Sequence, residues 1–333
     1  MLSPEQVNGV FTMLLLPILA IVVSLALLAI SADKFVDGAS SVAGKLGVSP
    51  LLIGLTIVSF GTSAPEILIA IMSAGNGSSD IAIGNAIGSN IANIALILGA
   101  ASLFMPIPVA SEVLRREIPL LFAVVLFSTA LMLDLNLSRI DGAAAIITLL
   151  LCLGWLVWQS NSRAEDSIGA EFEDNIEQDG SIKSSAIMTV IALVVLLVSA
   201  RVLVWAAVEI ARAANVSELM IGLSIVAVGT SLPELAATIA SILRREFGLA
   251  IGNVVGSNLF NALAVVGVVA MLAPGDIDIM VRNRDAVVHI ALTICLVIFC
   301  VGYKRQGRIN RVEGFLLLCA FVGYQWFLFT TNG

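Results

Sequence analysis

The sequence predicts an all-α integral membrane protein of ten transmembrane helices, arranged as two inverted-topology repeats of five helices with interrupted core helices. Three observations predict this fold class: an apolar composition, regularly spaced apolar windows and an internal duplication. Of the 333 residues, 59% are hydrophobic and 12% are charged, whereas a soluble domain carries about 25% charged residues. Because one span needs roughly 20 mostly apolar residues, a chain of this length holds about ten spans and little else.

The apolar windows fall into five spans on each side of a polar connector. We expect the first window to continue past Asp33 and Lys34 as a long tilted helix. The windows lie at 11–30, 50–73, 80–104, 117–134, 142–158, 186–211, 218–243, 249–273, 286–303 and 312–330.

The two halves of the chain repeat one another. Residues 53–99 align with 221–267 without a gap, and 21 of the 47 aligned positions are identical. An odd number of spans in each half inserts the second copy upside-down. Inverted repeats with interrupted helices near the membrane midplane are typical of secondary transporters.

The duplication divides the chain into three parts. The first five-helix repeat covers 1–158 with a core at 50–104, and the second, inverted repeat covers 185–333 with a core at 218–273. Between them, the segment 159–184 is rich in Asp and Glu. Such a composition indicates a solvated connector.

The loop charges predict the orientation of the chain. Cytoplasmic loops carry an excess of Lys and Arg, so the face with twelve basic residues is expected to be cytoplasmic and the face with four outside. This orientation places both termini outside the cell and the acidic connector in the cytoplasm. The expected location of the protein is the inner or plasma membrane. The basic residues are Lys34, Lys45, Arg115, Arg116, Arg163, Lys183, Arg244, Arg245, Lys304, Arg305, Arg308 and Arg311 on the first face, and Arg139, Arg212, Arg282 and Arg284 on the second.

A bend motif occurs once in each repeat core, as Gly-Thr-Ser-Ala-Pro-Glu at 61–66 and Gly-Thr-Ser-Leu-Pro-Glu at 229–234. Proline removes a backbone donor and its ring clashes with the carbonyl four residues earlier, so each helix should break there. Irregular backbone at membrane depth is tolerated where protein buries it or where it lines a wet cavity. An ionisable residue at that depth is a functional-site hypothesis by default, and Glu66 and Glu234 are therefore the centre of the predicted site.

A second polar motif follows each bend, at 84–93 and again at 252–261. On a helix, Ser89 and Asn93 are four residues apart and share a face, as do Ser257 and Asn261. Glycines spaced four apart within both motifs form small-xxx-small pairs that permit close helix approach.

The predicted ligands are almost entirely oxygen atoms, which suit a hard cation such as Ca²⁺. A purely structural carboxylate would need a buried cationic partner, and the repeat-core spans offer Lys or Arg only at one end. The cysteines and the single histidine, His289, lie apart from the motifs, which argues against a copper or zinc transporter. The sequence offers no nucleophile–base pair for an enzyme, no phosphate loop and no basic stripe for nucleic acid.

At these motifs the sequence resembles the sodium/calcium exchangers of the cation/Ca²⁺ exchanger superfamily, especially the compact prokaryotic members. The resemblance covers nearly the whole chain and implies that the repeat cores line one central ion site. It implies that Glu66 and Glu234 are shared or bidentate ligands of Ca²⁺, and that Thr62 and Thr230 contribute backbone carbonyls. It also implies that four serines help to form Na⁺ sites, namely Ser63, Ser89, Ser231 and Ser257. The side-chain amides of Asn93 and Asn261 would complete the ring of ligands around the site.

The resemblance also implies an activity, exchange of Na⁺ for Ca²⁺ by alternating access. Proton-coupled members typically have Gly-Asn where this chain has Gly-Thr-Ser, which favours Na⁺ coupling, and an H⁺/Ca²⁺ antiporter using the same glutamates remains the alternative. Potassium-dependent members carry Asp at the position of Asn261, so K⁺ co-transport is disfavoured. The expected partners are Ca²⁺, Na⁺ and the lipid bilayer, with no cofactor and no obligate protein partner.

Overall fold

Helices carry most of the chain in this computed structural model, which describes residues 4–75, 79–161, 181–214, 225, 227–301 and 307–332. The α-helices of the first half are α1 (Pro4–Leu46), α2 (Pro50–Ile53), α3 (Ser59–Thr62), α4 (Ala64–Gly75), α5 (Ser79–Ile91), α6 (Gly99–Phe104), α7 (Ser111–Arg115), α8 (Glu117–Ala130) and α9 (Arg139–Asn161). Those of the second half are α10 (Ile182–Ala213), α11 (Ala227–Thr230), α12 (Leu232–Leu243), α13 (Phe247–Leu259), α14 (Val266–Leu272), α15 (Val287–Val301) and α16 (Arg311–Asn332). The π-helical segments are π1 (Gly54–Val58), π2 (Ala92–Leu98), π3 (Phe260–Val265) and π4 (Val281–Ala286), and the strands are β1 (Ile107–Pro108), β2 (Asn136–Leu137), β3 (Gly275–Asp276) and β4 (Arg308–Ile309).

The predicted spans coincide with helix almost throughout the part of the chain that the structure describes. Seven described helical stretches are long and apolar enough to cross a bilayer, and the bent pair Pro50–Thr62 and Ala64–Gly75 makes an eighth. The shorter helices α8 and α12 lie within the two remaining windows, 117–134 and 218–243. The start of the last of these windows lies outside the described residues, as does most of the predicted connector 159–184.

Helix α1 is longer than its apolar window, as predicted, and runs through Asp33 and Lys34 to Leu46. Helix α10 begins at Ile182, four residues before its window, because the Ser181 side chain caps it and accepts a hydrogen bond from Ser184 N at 3.3 Å. Capping by serine stabilises a helix start, and the apolar windows contain no information about it.

Helices α1 and α10 pack along one another. Their contact is close enough that a Cβ atom added at Gly38 would meet Thr189, and at one end Ser185 Oγ lies 2.9 Å from Ser41 Oγ and accepts from Lys45 Nζ at 2.8 Å. The faces of both helices away from this contact carry exposed Leu, Ile and Val side chains. Such a surface on a long apolar helix is suited to lipid.

The short strands reveal the inversion of the two halves. Strand β1 follows the third span and pairs with β4 of the second half, whereas β2 follows the fourth span and pairs with β3. Consecutive spans end on opposite faces of a membrane, so β1 and β2 lie on opposite faces. In the repeat alignment β1 corresponds to β3, and the two copies therefore place equivalent strands on opposite faces.

One ion-pair cluster joins α1 to the second repeat core. Arg244, the residue after α12, contacts Asp33 Oδ1 through Nε at 2.6 Å and Asp37 Oδ1 through a terminal nitrogen at 2.6 Å. Periodicity and loop-charge counting assigned Arg244 only to a loop, and the repeat alignment placed Arg201 opposite Asp33. The contact was therefore not predictable from the duplication.

Candidate functional site

The bend in each repeat core has the same local geometry. The helix that begins at Pro50 breaks at Ser63, and its two parts are inclined by 44°. Ser63 adopts φ −83° and ψ 3°, and Ser231, its counterpart, adopts φ −88° and ψ 5°. Pro65 and Pro233 follow two residues later, and neither can supply an N–H to the preceding turn. Both predicted bends are confirmed.

Both glutamates lie in the first turn of the helix that follows the bend. Glu66 is 0% exposed and Glu234 is 1% exposed, in α4 and α12 respectively. The N-terminus of a helix carries a partial positive charge, which favours an anionic side chain. The bend therefore places each carboxylate in the protein interior at the N-terminus of a helix, the end whose partial charge stabilises the anionic form.

Hydroxyl groups join each carboxylate to the opposite repeat. Ser63 Oγ donates to Glu234 Oε1 at 3.3 Å, and Thr62 is also within hydrogen-bonding reach of Glu234. Glu66 Oε1 accepts from Ser89 Oγ at 3.4 Å, and the Glu66 carboxylate is within hydrogen-bonding reach of Thr230 from the other half. The predicted residues of the two bends are thus interleaved around the two carboxylates.

A buried network extends from Thr62 into helix α13. Thr62 Oγ1 donates to Asn253 Oδ1 at 3.2 Å and lies 3.5 Å from Ser257 Oγ. Asn253 Nδ2 in turn contacts Thr238 Oγ1 at 2.9 Å and the Glu234 carbonyl at 3.3 Å. Thr238 was not predicted, because the first repeat has Ala70 at the equivalent position and the duplication gives no signal for it.

Three further predicted ligands, Ser231, Asn93 and Asn261, are also buried, and their side-chain polar atoms have no hydrogen-bond partner among the described residues. All ten predicted residues are buried. The oxygens Glu66 Oε2 and Glu234 Oε2 and the hydroxyl of Ser231 have no partner among the described residues, and neither have the side-chain amides of Asn93 and Asn261. Buried polar atoms are normally satisfied, so this set of orphaned oxygens fits a site that takes a cation.

The described residues do not balance the charge at the site. Among the described residues, neither glutamate forms an ion pair, and no group of three or more His, Cys, Asp and Glu gathers there or elsewhere. An unpaired charge in a low-dielectric interior is strongly unfavourable. Two carboxylates surrounded by neutral hydroxyl and amide oxygens can be compensated by one divalent or two monovalent cations, which are hard ions with oxygen preference.

Segments of π-helix occur beside the site at matching positions of the two repeats. The segment π2 begins at Ala92 and π3 at Phe260, so each predicted amide, Asn93 or Asn261, is the second residue of a widened turn. Such turns are rare and frequently occur at functional sites. Spacing of four on a regular helix therefore describes Ser89 and Asn93 only approximately, and the sequence carries no signal for the extra width.

Glycines let one bent helix approach α13 closely. A Cβ atom built on Gly54 would lie 3.0 Å from Gly252 Cα, and one built on Gly256 would lie 2.6 Å from the Leu55 carbonyl. The predicted small-residue contact is confirmed for Gly252 and Gly256. Apart from the neighbouring backbone of their own helix, no atom of the described residues lies within 4 Å of a Cβ built on their counterparts Gly84 and Gly88.

The chain matches the family model described as sodium/calcium exchanger protein over residues 16–160 and 184–330. CaxA of Alkalimonas amylolytica, named as a proposed antiporter, is 45% identical over 312 residues, 93% of this chain and 98% of its own length. The inner membrane protein YrbG of Escherichia coli is 38% identical over 93% of this chain and 95% of its own length.

A solved structure of the sodium-calcium exchanger NCX_Mj, soaked with 2.5 mM Na⁺ and 0.1 mM Ca²⁺, superposes with a TM-score of 0.80 at 29% identity. The superposition covers 95% of this chain and 98% of that one. NCX_Mj is a membrane exchanger of ten helices in inverted repeats. The predicted fold class is confirmed by this match and by the described helices.

Proposed function

The chain belongs to the sodium/calcium exchanger protein family, and from that membership we propose that it is a secondary-active antiporter that exchanges Na⁺ for Ca²⁺ across a cell membrane. The observation that carries the proposal is the pair of fully buried glutamates, Glu66 and Glu234, which have orphaned oxygens and no cationic partner among the described residues. In this proposal the transported cation is the missing partner.

The charge of the site supports exchange of the two ions through one cluster. Glu66 and Glu234 together neutralise one Ca²⁺ or two Na⁺, and Ca²⁺ takes six to eight oxygen ligands. The glutamates would share the Ca²⁺ ion, with backbone carbonyls of Thr62 and Thr230 completing its shell. The Na⁺ sites would use neutral oxygens, for which we assign the hydroxyls of Ser63, Ser89, Ser231 and Ser257 and the amides of Asn93 and Asn261.

Coupling follows from the cost of an empty site. With no cation bound, a switch between the outward-facing and inward-facing states would have to occlude two uncompensated negative charges near the membrane midplane. Burying such charges in the membrane is energetically unfavourable. Only the cation-bound forms of the protein then switch between the outward-facing and inward-facing states. We propose that α1 and α10, which pack on one another, slide as a pair over the remaining spans. We also propose that both termini lie outside the cell.

The test is ⁴⁵Ca²⁺ uptake into proteoliposomes that are loaded with Na⁺ and diluted into Na⁺-free buffer. We expect uptake that requires internal Na⁺, that persists when any pH gradient is collapsed by an ionophore, and that acid slows because protons compete for the carboxylate oxygens. Uptake that ignores Na⁺ but follows an imposed pH gradient would contradict the proposal and support H⁺/Ca²⁺ antiport. Uptake under neither gradient would refute Ca²⁺ as the substrate.

A further inference from the structure

A small cavity with both apolar and polar lining residues lies beside Asn261, on the side of π3 that faces α8 and α15. Its volume is about 10 Å³. That is about the volume needed to hold a single water molecule. Its lining includes the polar residues Asn90, Ser128, Thr129, Asn261 and His289.

Three of these side chains carry polar atoms with no partner among the described residues. These atoms are His289 Nε2, Asn90 Oδ1 and both amide atoms of Asn261. His289 is 4% exposed, and the two asparagines are at most 1% exposed. The other amide atom of Asn90, Nδ2, already donates to the Asn258 carbonyl at 3.4 Å, so Oδ1 is the atom left to accept.

The lining selects water over a cation. It contains no Asp or Glu, and a neutral imidazole nitrogen, an amide oxygen and an amide nitrogen offer both donors and acceptors. A buried water makes about three hydrogen bonds to groups that would otherwise be unsatisfied. The three orphaned side chains provide that number.

We propose that one buried water bridges His289 Nε2, Asn90 Oδ1 and Asn261 Nδ2, and that His289 is thereby a positioning residue for Asn261. Water that accepts from Nδ2 leaves Asn261 Oδ1 free to turn towards the carboxylate cluster. The inference rests on the proposed role of Asn261 as a Na⁺ ligand. The device belongs to one repeat alone, because the position equivalent to His289 in the first repeat is the buried Leu121.

The test compares His289→Leu, which fills the position without a polar atom, with His289→Gln, whose amide can bond the same water. In the Na⁺-driven uptake assay we expect His289→Leu to raise the half-saturating Na⁺ concentration about tenfold, the scale of one lost buried hydrogen bond, with the KM for Ca²⁺ changed less than twofold. His289→Gln should stay within about twofold of wild type for both ions. Cys300→Ala, a buried change on the same helix, is the matched control and should leave the Na⁺ dependence unchanged.

Wild-type Na⁺ dependence in a folded His289→Leu protein would overturn the inference, as would equal loss in His289→Gln. A high-resolution crystal structure of the wild type provides a readout that does not depend on transport. Density for one water within hydrogen-bonding distance of His289 Nε2 is expected, and a dry cavity would overturn the bridge. Failure of the proposed function is distinct, because it appears as wild-type protein without Na⁺-driven uptake whatever the density shows.

Discussion

Glu66→Gln and Glu234→Gln are each expected to lower Ca²⁺ uptake by at least about 100-fold while leaving the cation-free protein as stable as the wild type or more so. Glutamine keeps the shape and a hydrogen-bonding oxygen, but it removes a buried charge that the described part of the protein does not pair. Losing such a charge costs no stability in the absence of a cation. With a cation present, the remaining single carboxylate cannot compensate Ca²⁺.

Thermal unfolding of the wild type and of each variant is measured with and without Ca²⁺, and Ca²⁺ uptake is measured in parallel. A ligand at 100 times its Kd stabilises the folded state by about 2.7 kcal/mol, so Ca²⁺ should raise the Tm of the wild type and not that of either variant. Glu117→Gln is the matched control, because Glu117 lies in α8, is also buried and also has a carboxylate oxygen with no partner among the described residues. Equal losses of transport in all three variants would refute a special role for the pair.

Gly252→Ala and Gly84→Ala are expected to change stability in opposite directions, although the two glycines are equivalent in the repeats. A Cβ atom at Gly252 would lie 2.5 Å from the Leu51 carbonyl and 2.9 Å from Leu55 N. Those neighbours are backbone atoms and cannot rotate away, so we expect a loss of about 1–3 kcal/mol. Apart from the neighbouring backbone of its own helix, no atom of the described residues lies within 4 Å of a Cβ built on Gly84. Alanine in a helix gains up to about 1 kcal/mol over glycine.

The two variants are compared by their Tm in the same detergent, with Ca²⁺ uptake measured for each. Gly252→Ala should also slow transport, because it separates the bent helix from α13 and moves Thr62 away from Asn253. A similar fall in Tm for both substitutions would show that the two halves pack alike, in disagreement with the described contacts. Unchanged stability of Gly252→Ala would show that the close approach is not required.

The fold was largely predictable because its main determinants are local or duplicated. Pro65 and Pro233 break their helices wherever the surrounding chain lies, and an apolar window of about 20 residues has few alternatives to a span. The burial of Glu66 and Glu234 followed from the same motif. Their hydroxyl partners were also predicted as members of one cluster, since the repeats must face each other to bury the bends.

What could not be predicted depends on contacts that differ between the halves. The pairing of Arg244 with Asp33 and Asp37 has no counterpart in the alignment, and Thr238 replaces an alanine of the first repeat. The π-helical turns at Asn93 and Asn261 arise from packing around the site. The periodicity of apolar residues in the sequence does not reveal that such a turn contains an extra residue. The ligand roles of individual residues stay predictions.

The most direct test of the central claim is equilibrium binding of ⁴⁵Ca²⁺ to the purified protein at increasing Na⁺ concentration. If Na⁺ and Ca²⁺ occupy one cluster built on Glu66 and Glu234, Na⁺ should raise the apparent Kd for Ca²⁺ without lowering the number of Ca²⁺ sites. The displacement should be steeper than first order in Na⁺, since two carboxylates accept more than one monovalent ion. Ca²⁺ that stays bound at saturating Na⁺, with its Kd unchanged, would contradict the account.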